Sequence, residues 1–417
     1  MNIEVVTIGT ELLLGFTVDT NGVEIGQALA EAGVRVCRRT SVADQAEAIR
    51  DAVSAALGRT GAVLTTGGLG PTRDDITKKC LADLFGARLE FQEKVWQELL
   101  QRMAKYGRVP SESNRSQAEV PRGAIVLPNP LGTAPGIWLE GSRGFVIMLP
   151  GVPSEMRGLL INQVVPRLRA RAGGSVIRSM TLRTTAIPES SLAELLGNIE
   201  KAIHPLTLAY LPGLEGVDLR VTAWETSPEI AADRLGAARR TIMERAGPHI
   251  YGEGEADLAA LVLDRARQAS QRIAVAESCT GGMIGERLTA VPGSSDAFVG
   301  GVIAYENAVK IRDLGVPAEL IATHGAVSQP VVEAMVKGVA SRFNTGLAMA
   351  VTGIAGPSGA TADKPVGLVW YATMVRDKVE SSRYVFPGPR ENVRARATQA
   401  TLFQLFRGLD GSEGLPA

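Results

Sequence analysis

The chain is 417 residues long and 45% apolar, enough for two or three domains with ordinary buried cores. Lys plus Arg and Asp plus Glu number 44 each, so the net charge is zero, which argues against a nucleic-acid-coating surface or an acidic tail. Three scattered cysteines (Cys37, Cys80, Cys279) without a C-x-x-C fit a reducing, cytoplasmic setting rather than a disulfide framework, and three scattered histidines (His204, His249, His324) leave carboxylates as the ligands of any metal.

The amino terminus, MNIEVVTIGTELLLG, lacks the basic start and long apolar run of a signal peptide. No stretch reaches transmembrane length, so no membrane partner is expected. The β-branched run Ile3–Ile8 predicts a buried strand and Asn21–Ala32 a helix ended by Gly33. Val34–Arg39 is a strand, Gln45–Leu57 a helix, and Ala62–Thr66 a strand closed by Gly67 and Gly68. Helices follow from about Asp75, from Glu93 and around Ser113. Strands come next at Ala124–Leu127, Gly136–Leu139 and Gly144–Leu149, then a helix at Ser154–Arg169. This alternation predicts a sheet with helices on both faces and ligands beyond the carboxyl ends of its strands.

Ala170–Ser175 (ARAGGS) reads as a linker, after which the pattern changes. Val176–Thr185 is a strand, Glu189–Ile203 a helix, Thr207–Leu211 and Asp218–Trp224 strands and Glu229–Ala246 a helix, a small α+β module ended by Gly252-Glu253-Gly254. A second α/β unit begins at Asp257, with helix Leu258–Ala269, strand Arg272–Ala276 and helix Gly282–Val291. Strand Ala297–Tyr305, helix Val331–Phe343 and strands Leu347–Val351, Gly367–Val375 and Val379–Phe386 follow. Helix Asn392–Phe406 ends the pattern, and Gly411–Ala417 reads as a disordered tail.

In the front part, TTGGLGPTRDDIT (65–77) closes a strand and opens a helix. Gly67, Gly68 and Gly70 let the backbone approach a phosphate, and the helix start offers free N–H groups. Asp74 and Asp75 would repel that phosphate unless a cation lay between, which points to metal-assisted phosphate chemistry. The rival reading is a tight turn with an Asp helix cap, and the segment alone favours neither. Other loops fall at equivalent strand ends: Gly9-Thr10-Glu11, Asp19-Thr20-Asn21, NPLGTAPG (129–136) with Asn129, Gly132 and Thr133, and LPGVPSEM (149–156) with Glu155. Singly, Asp19 or Asn21 caps a helix and Glu155 complements a helix dipole.

GTELLLG, DTN, TTGGLGPTRDDIT, NPLGTAPG and LPGVPSEM together resemble the molybdopterin-binding (MoaB/MogA-like) domain in the form found at the front of the CinA family. The resemblance implies a domain over 1–170 that binds an adenosine-linked pyrophosphate and has metal-dependent ADP-ribose pyrophosphatase activity. Gly67, Gly68, Gly70, Asn129, Gly132 and Thr133 would contact the substrate, and Asp74, Asp75 and Glu155 would hold a divalent ion (Mg, Mn or Co). The middle module, 171–254, looks like the KH-like insert of CinA. It lacks a G-x-x-G loop flanked by basic residues, so RNA binding is not inferred.

In the rear part, AESCTGG (276–282) again ends a strand and starts a helix, which exposes a nucleophile beside helix N–H groups. A serine there needs a base, and Lys310 in YENAVK (305–310) is the candidate, provided its amine is desolvated and neutral. The rival reading is a Ser/Thr helix cap and a surface lysine. In AVTGIAGP (350–357), Thr352 and Gly353 offer groups for a carbonyl or phosphate, and Arg390 and Arg394 lead the last helix.

AESCTGG, GGVIAYENAVK, HGAVS, VTGIAGPSG, KPVGLVW and REN-x-R-x-R resemble the CinA C-terminal domain, the nicotinamide-mononucleotide deamidase family, over about Asp257–Gly408 within a domain at 255–417. The resemblance implies hydrolysis of nicotinamide mononucleotide to nicotinic acid mononucleotide and ammonia, without a cofactor. Ser278 would be nucleophile, Lys310 base and Tyr305 a proton relay or substrate contact, ranked above Cys279. Glu277, Thr280, Gly281, Thr352, Gly353, Arg390 and Arg394 would bind substrate. A cytoplasmic homodimer acting on small nucleotides is expected. The alternatives are a competence-associated scaffold with degenerate sites and a molybdopterin-handling enzyme.

Overall fold

The computed structural model describes residues 1–410 except 106, 108, 174 and 175. The end of the expected linker (Gly174, Ser175) and the tail Gly411–Ala417 lie outside the described residues. The chain divides into two compact units: Met1–Arg178 with Ala223–Arg234, and Ser179–Thr222 with Leu235–Ala417.

The described residues up to Leu149 carry eight strands: β1 (Asn2–Ile8), β2 (Arg35–Val42), β3 (Ala62–Thr66), β4 (Leu89–Phe91), β5 (Glu119–Pro121), β6 (Ile125–Leu127), β7 (Gly136–Gly141) and β8 (Gly144–Leu149). Six form a sheet ordered β2-β1-β3-β8-β7-β6. Its first four strands are parallel, and β7 and β6 are added antiparallel. β4 and β5 pair separately. Strand periodicity sorts β1 between two cores: Ile3 and Val5 face one, Val6 and Ile8 the other. Helices Thr20–Glu31 and Pro153–Leu159 fill the first, and Ala46–Thr60 and Thr77–Leu84 the second. Helices therefore cover both faces. The helix expected at Ser154–Arg169 is three pieces, Pro153–Leu159, a wide turn Leu160–Val164, and Val165–Arg171. Pro166 lacks the N–H that regular winding would use there.

The middle sheet is ordered β10-β11-β9-β12, with β9 at Val176–Thr184, β10 at Thr207–Pro212, β11 at Val217–Thr226 and β12 at Ile250–Glu253. The single helix expected at Glu189–Ile203 is broken into Glu189–Leu196 and Ile199–Ile203, because Gly197 takes φ +55° and ends the first piece.

The rear sheet is ordered β14-β13-β15-β16-β17, with β13 at Ile273–Glu277, β14 at Phe298–Ile303, β15 at Leu347–Gly353, β16 at Leu368–Val375 and β17 at Lys378–Val385. β14, β13 and β15 are parallel, and β16 and β17 run antiparallel. Helices Leu258–Gln268, Met283–Thr289 and Arg390–Leu409 cover one face, and Asn307–Leu314 and Gln329–Phe343 the other. β13 is thus flanked by strands reached in opposite directions, a topological switch point where α/β sheets open a crevice. Tyr251 of β12 packs into the rear core, so the middle and rear parts share apolar contacts. The chain is mixed α/β throughout. No helix among the described residues is long and apolar enough to cross a membrane.

Candidate active site

Alternation along β13 decides which side chains meet at the switch point. Ile273 and Val275 enter one core, Ala274 and Ala276 the other. Continued past the strand end, this phase sends Cys279 into the first core and Ser278 to the opposite side, where the helix Asn307–Leu314 packs. Cys279 is 5% exposed, and burial pushes its thiol up to about 12. A Cβ at Gly353 would stand 3.0 Å from its Sγ, so the glycine lets β15 close over the thiol.

Ser278 Oγ lies 3.1 Å from Lys310 Nζ. Lys310 is 1% exposed and, with Leu314 one turn on, forms the buried face of its short helix. Its Nζ donates to the carbonyl oxygens of Ala304 at 2.7 Å and Tyr305 at 3.3 Å. Burial holds its pKa below the ordinary lysine value. Lys310 Nζ thus donates to three acceptors, the Ser278 hydroxyl oxygen and the two carbonyls.

The turn after Ser278 is held by backbone and side-chain bonds. The Ser278 N–H donates to Val351 O at 3.0 Å, and Gly281 and Gly282 take φ +61° and +101°. Glu277, expected as a substrate contact, is instead sealed in the fold. Its carboxylate accepts the N–H groups of Gly282 (2.9 Å), Ile284 (3.1 Å) and Gly285 (2.8 Å), which anchors the start of helix Met283–Thr289. Arg394, expected at a phosphate, donates to the Thr280 carbonyl at 2.6 and 3.2 Å. Arg390 donates to Gly356 O at 2.9 Å and to the Tyr305 phenol at 3.1 Å. Tyr305 is 62% exposed, and its carbonyl, rather than its phenol, touches Lys310. Thr352 Oγ1 donates to Ala326 O at 3.0 Å, and Thr280 Oγ1 is buried without a partner.

In the front unit the expected loops converge on the carboxyl edge of the sheet. The Gly67 N–H donates to Leu149 O at 3.0 Å, and a Cβ on Gly67 would stand 2.1 Å from Ile8 O, so β1, β3 and β8 meet there only because the residue is glycine. Gly68, at φ +67°, packs as closely against Thr77. Asn21 donates to Thr66 Oγ1 (3.1 Å) and Gly151 O (2.8 Å). Asn129 accepts the Leu131 and Gly132 N–H groups and donates to Glu155 Oε2 at 2.7 Å, while Thr133 Oγ1 accepts from Gln117 at 3.1 Å. The carboxylates do not form the expected metal set. Asp75 accepts the N–H and hydroxyl of Thr72, Asp74 is exposed, and Glu155 is held by Asn129, its pKa raised by burial. Among the described residues no group of three such side chains is placed to hold an ion.

Comparison with known proteins finds three family matches along the chain. The "Probable molybdopterin binding domain" family matches residues 4–170, the "Damage-inducible protein CinA KH domain" 179–252 and the "CinA C-terminal domain" 255–409. A CinA-like protein of Gemmatimonas aurantiaca is 52% identical over 99% of this chain and 98% of its own length. The chain belongs to the CinA-like family. A CinA-like protein of a Synechococcus is 46% identical over 90% of each chain. A solved structure titled as the protein CinA with unknown function, from Thermoplasma acidophilum, is 35% identical, covers 41% of this chain and 97% of that one, and has a TM-score of 0.36.

Two polar groups of this CinA-like chain escaped the sequence reading. Lys78, on the first turn after the glycine loop, donates to Ser116 O, and burial lowers its amine to about 8 against the pull of Glu119 and Asp75. Its signal was present: a lysine one residue past a phosphate-type loop. Of the two residues offered as a helix cap, Asp19 or Asn21, it is Asp19 that caps the helix, and the Asn21 Oδ1 is buried without a partner.

Proposed function

We propose that the rear domain deamidates nicotinamide mononucleotide through Ser278 and Lys310. The observation that carries this is the buried lysine amine 3.1 Å from the serine oxygen, with two carbonyls also accepting from it. Neutral Lys310 takes the hydroxyl proton as Ser278 Oγ attacks the carboxamide carbon. The lysine then returns that proton to the departing nitrogen, which leaves as ammonia and an acyl-serine ester. Water, deprotonated by the same amine, attacks the ester, releases nicotinic acid mononucleotide and restores the hydroxyl. The three unpaired cysteines suit a reducing, cytoplasmic setting. Purified protein supplied with nicotinamide mononucleotide should release ammonia and the acid in equal amounts, EDTA present or absent. No product, or product only with added metal, would sink the reading.

A second reading concerns the front unit. We propose that its loop edge binds and hydrolyses an adenosine-linked pyrophosphate such as ADP-ribose. The support is the close-packed Gly67-Gly68 turn, the helix start behind it and the Lys78 amine beside it. Asp74, Asp75 and Glu155 do not fit a shared ion, so no step is routed through one. AMP release from ADP-ribose, assayed with Mg, Mn or Co and with EDTA, tests both the substrate and the ion.

A further inference from the structure

A chain of five alternating charges links the middle module to the helix behind the nucleophile. Asp218 Oδ1 accepts from Arg183 Nε at 2.8 Å, and Arg183 Nη2 lies 3.0 Å from Glu215 Oε2. Glu215 Oε1 lies 2.9 Å from Arg287 Nη1, and Arg287 Nη2 lies 2.8 Å from Asp257 Oδ2. The two guanidiniums are only 19% and 20% exposed, so they are less screened than ordinary surface pairs, and each forks between two carboxylates.

The middle carboxylate and one end of this chain are fixed. Glu215 sits in the turn between β10 and β11, where Thr185 Oγ1 donates to its carbonyl at 2.6 Å and Thr184 Oγ1 donates to Val217 O at 2.6 Å. Gly216, at φ +155°, lies so near Thr184 O that a Cβ would stand 1.8 Å away. Asp257 spends its other oxygen on the Ala260 N–H, capping helix Leu258–Gln268. Arg287 lies on Met283–Thr289, whose first N–H groups are gripped by Glu277, the residue before Ser278. One end of this short helix is therefore set by the charge chain and the other sets the nucleophile turn.

We propose that Arg287 and Glu215 are positioning residues for the Ser278–Lys310 pair, and that through them the middle module governs the turnover of the rear site. This rests on the deamidase reading. Neither residue touches substrate; they act by fixing the helix from which the turn is hung. Misplacing reacting atoms by about 1 Å costs on the order of 10²-fold in rate, so a smaller shift, released by removing one anchor, is expected to cost about 3- to 30-fold in kcat.

The test uses the full chain. Glu215→Gln keeps the size and removes the charge, and Glu215→Asp restores the charge on a shorter arm. Arg239→Gln removes the Arg239–Glu253 pair, which lies outside the charge chain, and serves as the control. For ammonia release from nicotinamide mononucleotide, Glu215→Gln should lower kcat within that range with KM within about twofold. Glu215→Asp should recover part of the loss, and Arg239→Gln should match the parent. Native-state hydrogen exchange at Gly282, Ile284 and Gly285 is the second readout and needs no activity. Exchange there should quicken in Glu215→Gln and stay unchanged in Arg239→Gln. If the parent chain shows no deamidase activity, that reading fails and the exchange result alone decides the positioning claim. Parent-like exchange at those amides in folded Glu215→Gln overturns the proposal, as does a kcat loss matched by Arg239→Gln.

Discussion

At the scale of single residues, the pairing of Ser278 with Lys310 was legible only through the family resemblance, because either segment alone reads more readily as a helix cap and a surface lysine. Their spacing of 32 residues says nothing about contact, which the parallel strands β13 and β14 supply. Alternation also separates Ser278 from Cys279, and burial makes the thiol a poor thiolate source. Ser278→Ala and Lys310→Ala should each lower turnover by roughly 10³-fold or more, since the two act as a unit. Cys279→Ala should retain most activity; an inactive, folded Cys279→Ala beside an active Ser278→Ala would reverse the assignment. The pH dependence follows from the base. Lys310 must be neutral to accept a proton, and burial lowers its pKa from the ordinary value, so kcat/KM should rise with pH through a midpoint below that of free lysine. A profile flat from pH 6 to 10, or one that falls, would remove Lys310 from the role. The backbone contacts of Glu277 and Arg394 were not legible, because a side chain bound to backbone groups leaves no pattern that distinguishes it from one awaiting a ligand.

At the scale of elements, strong periodicity read well and short helices did not. The strands β1, β3, β8, β13 and β15 were all expected, being runs of apolar residues buried on both faces. Helices Asn307–Leu314 and Ala318–His324 were not, since neither presents enough apolar residues to show a face. The first carries Lys310, whose burial breaks the usual pattern. Helix Met283–Thr289 depends on a buried carboxylate rather than on its own propensity, being only two turns long. Glu277→Gln would replace one charged acceptor with an amide donor facing backbone N–H groups. It should cost about 2–3 kcal/mol, by the scale of hydrogen bonds to charged groups, and lower ammonia release as the turn loosens. Urea denaturation of the full chain measures the first, and an unchanged midpoint would show that the helix stands without its anchor.

At the scale of the molecule, the resemblance of the motifs implied three family domains, but not where folding units begin and end. A reading based on linkers places a break near Gly252–Gly254, yet Tyr251 packs with Leu258, Val262 and Phe406 in the rear core. Its hydroxyl is buried without a partner, and burial pushes its pKa to about 12. Tyr251→Ala should therefore destabilise the rear fold by about 3 kcal/mol, as truncation of a buried aromatic does. Thermal unfolding followed by loss of deamidase activity measures it; unfolding at the parent temperature would restore the simpler division.

The same core has a temporal side. Phe403 and Phe406 close it from the last helix, Arg407 donates to Pro248 O across 159 residues of sequence, and Arg265 donates to Phe406 O. A ribosome adding roughly 5–20 residues each second takes about 8–30 s to cover that span. For that interval β12 and helix Leu258–Gln268 are in the cell without the partner that covers them. Nascent chains stalled before Arg390 should accordingly occupy chaperones.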